Sequence, residues 1–270
     1  MEQSALLMSA KIYFIETKLR LVHIPLDNSL FFITTYFSDY IVVPLKARGQ
    51  VIDALEDRGF TFDKGSKAYV NRAAHHRHAS SSSSLGPTSP TTPPPTNVTE
   101  LQTRTFALLD RHSIVPRVDN DIRLVQSAGR NSNPETLPAD ELALQHGLTK
   151  CFLHQPRFLS LTMTKDESAS LLLEQRLMAN FDMSSWDNVL LGAKDDFLIP
   201  ITLDLGPLPF EATGIVCGVA GRLVDGPGLT NPIDMNYLST ARAGTVMVNE
   251  KDLDYAMGAL RLGADGAIRP

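Results

Sequence analysis

The sequence predicts an α+β fold, with antiparallel sheets carrying helices on one face in tandem βαββαβ units. Three observations predict it. FFITTYFSDYIVV (31–43) and NYLSTARAGTVMV (236–248) are two versions of one strand–turn–strand segment, with Thr35 answering Thr240 at an offset of 205 residues (240 − 35). The offset runs on without a gap into PLKARGQVIDALEDRG and NEKDLDYAMGALRLGA, where Lys46/Lys251, Ala54/Ala259 and Leu55/Leu260 are identical. Each hairpin therefore leads into the same kind of helix. The C-terminal part reads strand, helix, strand, strand, helix, a βαββαβ order short of its last strand.

The first elements are strands. KIYFIETKLRLVHI (11–24) reads as two short strands around Glu16-Thr17-Lys18. The opening hairpin has β-branched and aromatic residues on both sides of Ser38-Asp39, giving strands at 30–36 and 39–44. Val51, Ala54 and Leu55 then share a helical face that stops at Gly59. From Ala73 to Glu100 serine, proline and threonine dominate. Such a composition buries too little apolar surface to offset the entropy of ordering, so a disordered linker is expected. Residues 101–150 offer one helix around LQTRTFALLDRH and otherwise polar loop.

Alternation in RFLSLTM (157–163) predicts a strand, and Thr164-Lys165-Asp166-Glu167 has capping-box spacing, which predicts a helix to about Asn180. DDFLIPITLDL adds a strand, and strand 157–163 is a candidate for the missing last strand of the C-terminal unit. Val216, Val219, Ala220 and Leu223 stand at helical spacing after Thr213, a plausible cap. The second hairpin predicts strands at 235–240 and 244–248. Leu253, Ala256, Met257 and Leu260 complete the chain's elements with an i, i+3, i+4, i+7 stripe. The expected organisation is a truncated N-terminal unit (1–72), linker and loop (73–150), and a C-terminal domain (151–270).

Composition narrows the function. A net charge of −5 over 270 residues argues against nucleic acid as partner. Two cysteines, Cys151 and Cys217, are too few for a disulfide scaffold and fit a reducing compartment. The N-terminus has Glu2, Lys11 and Glu16 among its apolar residues, unlike a signal peptide. No run approaches the ~20 apolar residues of a membrane span. The expectation is a cytoplasmic protein. Asn97-Val98-Thr99 fits a glycosylation acceptor by chance alone.

PFEATGIVCGVAGRLVDG, followed by NYLSTARAGTVMVNEKDLDYAMGAL, resembles an ACT domain, the small ferredoxin-like regulatory module that binds amino acids. More narrowly it is similar to the C-terminal ACT domain of the CASTOR-type cytosolic arginine sensors of the TOR pathway. The first hairpin and its helix resemble part of an earlier ACT domain, one lacking its opening strand and helix. The resemblance covers 29–62 and 157–262. It implies a non-catalytic sensor that holds an amino acid between ACT units, acts through a protein partner, and forms a possible homodimer.

The resemblance also implies the site. Gly214, Ile215 and Val216 match the family's ligand-binding helix start, where free N–H groups and the helix dipole favour a carboxylate. Ala212 and Gly244 stand where the arginine sensors carry acids for the guanidinium. Glu211 stands beside Ala212, and Asp39 is the repeat equivalent of Gly244. Ser29 and Leu30 match strand positions facing the ligand from the other unit, and Thr240 belongs to the hairpin motif. Weak arginine binding, and a preference for a smaller or apolar amino acid, follow from losing the guanidinium's charge partner.

No catalytic set emerges. Cys217 lies on an apolar helix face, where cysteine is usually a small core residue, and His146 or His154 as its base rests on mere presence in the chain. His75, His76 and His78 have no acidic or thiol partner nearby for a metal. Asp195-Asp196 and Asp166-Glu167 read as solvated turn carboxylates. No phosphate-binding glycine loop is present, and no cofactor is expected. Two other readings stand beside the sensor: the ACT regulatory region of an amino-acid biosynthetic enzyme such as aspartate kinase, and a ligand-free ACT interaction scaffold.

Overall fold

The computed structural model describes residues 31–43, 48–57, 59–61, 97–130, 138–164, 167–181, 189–209, 212–226, 231–240 and 242–261. The strands expected at 11–24 and the linker expected from 73 lie outside these residues, apart from the linker's last residues. Asn97 caps a helix there, its side chain accepting from the Glu100 N–H at 2.8 Å. The triplet that fits a glycosylation acceptor is therefore a helix start.

The repeat is realised in three dimensions. β1 (Phe31–Thr34) and β2 (Asp39–Val42) form an antiparallel hairpin leading to α1 (Arg48–Glu56). β9 (Met235–Ser239) and β10 (Ala243–Asn249) form the second, leading to a helix at Leu253–Arg261. Phe32↔Ile41 in the first hairpin answers Tyr237↔Val246 in the second, so the two registers coincide under the 205-residue offset. Arg48 and Leu253, where the helices begin, are 205 residues apart as well.

Between the hairpins lie α2 (Val98–Arg111), β3 (Arg117–Val118), β4 (Leu124–Gly129), α3 (Pro138–Leu153), β5 (Leu159–Thr162), β6 (Ser170–Glu174), a 3-10 helix (Gln175–Asn180), β7 (Leu190–Leu191), β8 (Phe197–Asp204) and α4 (Ile215–Asp225). The final helix, Leu253–Arg261, is α5. The ten strands among the described residues belong to one sheet, along the path β2-β1-β9-β10-β8-β4-β6-β5. β7 flanks β4, and β3 flanks β8.

Two units of the expected α+β type share this sheet. In the middle unit β4, α3, β5, β6, the 3-10 helix and β7 follow the βαββαβ order, with strands side by side as β5-β6-β4-β7. The C-terminal unit has β8, α4, β9, β10 and α5, arranged as β9-β10-β8. β3 pairs with its outer edge, Arg117↔Thr202 and Val118↔Ile201. The last strand of this unit therefore comes from upstream, and strand 157–163 does not fill the place. It is β5, in the middle unit.

Three further expectations are corrected. No helix spans 164–180 among the described residues: Ser170–Glu174 is a strand paired on both sides, with all five residues buried. A strand buried on both faces reads as a continuous apolar run, which periodicity cannot tell from a helix. The expected boundary at 150/151 falls inside α3. The stretch read as polar loop after LQTRTFALLDRH holds β3, β4 and most of α3.

Helices α2 to α5 lie on one face. Phe106 and Leu109 of α2, Val219 and Leu223 of α4, and Ala256 and Leu260 of α5 pack on Ile201, Tyr237, Val246 and Val248. Under the middle unit, Cys151 of α3 joins Val125, Leu171, Leu173 and Phe181. The opposite face holds a separate strand-lined cluster, with Leu124, Leu172 and Met247 buried beside Leu198 and Leu238. Across that face Asn236 donates to Gln126 Oε1 (2.8 Å), and Gln126 Nε2 donates to Thr35 O (3.0 Å). β9 and β4 are separated in the sheet by β10 and β8, so these bonds require the sheet to curl, as twisted sheets of many strands do.

Candidate functional site

The junction of the two hairpins is a local two-fold. β1 and β9 pair antiparallel at Ile33↔Leu238, a residue and its own repeat equivalent. The Phe32 N–H donates to Ser239 Oγ (3.1 Å), and the Tyr237 N–H donates to Thr34 Oγ1 (3.0 Å). Phe32 answers Tyr237 and Thr34 answers Ser239, so the two bonds are one interaction made twice. This is isologous pairing within a single chain.

At one end of the junction stands the helix start singled out from the sequence. β8 ends with Asp204 opposite Ala243, and the Leu205 N–H donates to Arg242 O (2.7 Å). The segment leading to α4 thus leaves the sheet beside the turn of the second hairpin. Gly214, not Thr213, is the N-cap, with φ 82° and no side-chain cap. This left-handed conformation is one that glycine adopts without the Cβ penalty. Ala212 and Val216 are half-buried, Ile215 is buried, and Thr213 is exposed.

Packing on this helix start is close. A Cβ on Gly214 would stand 2.8 Å from Leu101 Cδ1, and Thr105 Oγ1 donates to Gly214 O (3.3 Å). A Cβ on Gly218 would collide with the Thr105 side chain. Both glycines therefore let α2 lie against α4, and Arg222, one turn on, stacks its guanidinium over Phe106 at 3.9 Å from the ring centroid. No sequence signal pointed to Leu101 and Thr105 as neighbours of the helix start, because α2 is more than 100 residues upstream.

Gly244 is buried, and a Cβ there would collide with the Tyr237 hydroxyl. Tyr237 thus occupies the space into which an acid at 244 would project. Its hydroxyl has no hydrogen-bond partner among the described residues, and burial pushes its pKa well up, so it remains a neutral phenol. Thr240 is exposed and closes the turn: its N–H and Oγ1 donate to Ala243 O (2.9 and 3.1 Å), and its Oγ1 accepts from the Ala243 N–H (3.0 Å). Thr35 makes the same bonds with Ser38 in the first hairpin. The threonine shared by the two copies therefore has a structural task.

The structure brings Ala212, Gly214, Ile215, Val216, Thr240 and Gly244 to one end of the C-terminal unit, while Ser29, Leu30 and Glu211 lie outside the described residues. Asp39 is at the junction's other end, paired with Thr34. Burial raises its pKa, and a hydrogen bond with Thr34 partly counters this.

The remaining candidates are dispersed. Cys217 is half-buried on α4, where burial pushes its thiol up to about 11, so it is not a thiolate at neutral pH. His146 and His154 are exposed, on and just after α3. Among the described residues no cluster of three metal-ligating side chains occurs, and His75, His76 and His78 lie outside them. No helix among the described residues is long and apolar enough to cross a membrane. Glu167 is no solvated turn carboxylate, since it accepts from Ser38 Oγ and from Tyr40 Oη (2.9 Å).

The sequence matches no protein-family model and no curated protein. Among solved structures it is similar to a Vibrio cholerae protein of unknown function described as a possible transport protein. That match has 16% identity and a TM-score of 0.37 over 62% of this chain and 94% of the other. A putative C-terminal regulatory domain of aspartate kinase from Porphyromonas gingivalis is similar at 14% identity and a TM-score of 0.33, over 54% and 94%. The regulatory subunit of aspartate kinase from Thermus flavus is similar at 10% identity and a TM-score of 0.33, over 54% and 94%.

Proposed function

We propose that this chain is a non-catalytic regulatory protein of the ACT type that binds an amino acid. It acts through contacts with a protein partner in nutrient signalling, as CASTOR-type sensors of the TOR pathway do, or in amino-acid metabolism. One observation carries the reading: an α-helix with no side-chain cap starts in a left-handed glycine, after the strand that ends beside the turn of the second hairpin. N–H groups of its first turn supply partial positive charge for an α-carboxylate, worth on the order of 1 kcal/mol besides the hydrogen bonds. The phenol of Tyr237 over Gly244 leaves no carboxylate there for a guanidinium, which favours a small or apolar amino acid over arginine.

Calorimetry of the purified chain with each of the twenty amino acids, then with the methyl ester of the one that binds best, tests this. Arginine is expected to bind weakly, and esterification to weaken the preferred ligand about tenfold or more, because a charge-assisted bond is lost. Tight binding of arginine alone, or an ester that binds as well as the free acid, overturns the reading. The contact of Leu101 and Thr105 with Gly214 favours a second one, a ligand-free interaction module. In that case none of the twenty amino acids binds.

A further inference from the structure

The internal repeat gives β2 a counterpart whose neighbours are known. β10 lies between β9 and β8, and β3 pairs with the far side of β8. β2 answers β10 under the 205-residue offset, yet it ends the sheet, with no strand on its outer side among the described residues. Burial records the difference. Val246 and Met247, opposite Ile201 and Pro200 of β8, are fully buried, whereas their equivalents Ile41 and Val42 are half-buried. After Asp39 the strand is Tyr40-Ile41-Val42, with no charge or proline to blunt a free edge.

We propose that the outer edge of β2 is a docking site for residues 11–24 of the same chain. Residues 11–15 pair antiparallel with β2, in the place that β8 takes beside β10, and 19–24 lie outside them, in the place of β3. KIYFIETKLRLVHI supplies two strand-like runs around Glu16-Thr17-Lys18, matching the two strands beyond β10.

Pattern and chain length fix their order. Ile12-Tyr13-Phe14-Ile15 is apolar throughout, as suits a strand covered on both faces. Leu19-Arg20-Leu21-Val22-His23-Ile24 carries polar side chains of the kind that protect an edge. Running antiparallel to 11–15, the outer strand ends where β1 begins. The link 25–30 then crosses three strand spacings, roughly 14 Å, and six residues reach about 20 Å. The reverse order would leave Ile24 at the other end of the sheet, and a parallel return to β1 takes about a dozen residues or more. Tethering favours this occupant over an outside one, since a short link gives an effective concentration on the order of millimolar. The link carries Ser29 and Leu30, so docking holds these two candidate ligand positions from both sides.

Hydrogen exchange of the unaltered full chain, read by mass spectrometry, tests this. Amides of 11–15 and 39–42 should be protected, and those of 11–15 about tenfold more than those of 19–24, which pair on one side only. Phe14→Asp places a carboxylate in an apolar sheet face and should speed exchange at 39–42 about tenfold or more, leaving 243–249 unchanged. Free-chain exchange at 11–15 overturns the proposal whether or not the variant folds. So does better protection of 19–24 than of 11–15, or a folded Phe14→Asp variant with unchanged exchange at 39–42. Protection at 39–42 that grows with protein concentration assigns the edge to a second copy and overturns it as well.

Discussion

The two hairpins share a register, a threonine-closed turn and a following helix, yet they are held in different ways. The second is built into its unit, with β8 on one side of β10 and three helices beneath it. The first meets the C-terminal unit along β9 alone, and is otherwise held by polar groups of the middle unit. Ser38 and Tyr40 donate to Glu167, the Tyr36 N–H donates to Ser170 Oγ (2.8 Å), and Gln126 reaches Thr35 O. Where the second has Tyr237 over Gly244, the first has Phe32 and Asp39, so the hydroxyl is lost from one strand and a carboxylate is gained on the next. A repeated sequence fixed one local geometry, and the neighbours gave each copy its own task.

Tyr40 should break the equivalence most sharply. It is 2% exposed and bonded to Glu167, whereas its repeat equivalent is Thr245. Tyr40→Ala should cost about 3–4 kcal/mol in denaturant unfolding, and Thr245→Ala about 1 kcal/mol. Equal losses would mean that the first hairpin is not anchored through this side chain.

A smaller contrast lies in the turns. Thr35 is buried and Thr240 is exposed, although their bonds are the same. Thr35→Ala should destabilise by about 1–2 kcal/mol, as a lost buried bond does, and Thr240→Ala by under about 0.5 kcal/mol. Equal losses, measured by thermal or urea unfolding, would show that water reaches both turns alike.

The smallest effect concerns pH. Burial raises the pKa of Asp39, so the folded state holds that proton more tightly than the unfolded chain does. Its contribution therefore becomes more favourable as pH falls through the raised value. Asp39→Asn should raise the Tm at neutral pH, with a gain that shrinks on acidification. Glu174 provides the opposite sign. Burial works against its ionisation, but hydrogen bonds from Arg176 and the Phe158 N–H, with the Arg176 charge, outweigh that and hold it low. Its stabilisation is present above the ordinary carboxylate range and disappears as pH falls through its lowered value. An Asp39→Asn variant whose gain grows in acid would refute the assignment.

By itself the sequence determined the two hairpins, the helices after them, the helix at α4 and the α+β class, because these are local. Strand alternation, turn residues and helical stripes act over a few residues, and an offset of 205 carries them from one copy to the other. Tertiary structure decided what non-local pairing decides. SLLLE became β6 because strands pair its backbone on both sides while its leucines are buried on both faces of the sheet. Arg117–Val118 completed the C-terminal unit because β8 had an open edge beside it. At the site, the sequence singled out Gly214 and Gly244. Their partners Leu101, Thr105 and Tyr237 emerged only in three dimensions, since no pattern along a chain records which side chain another segment brings against a missing Cβ.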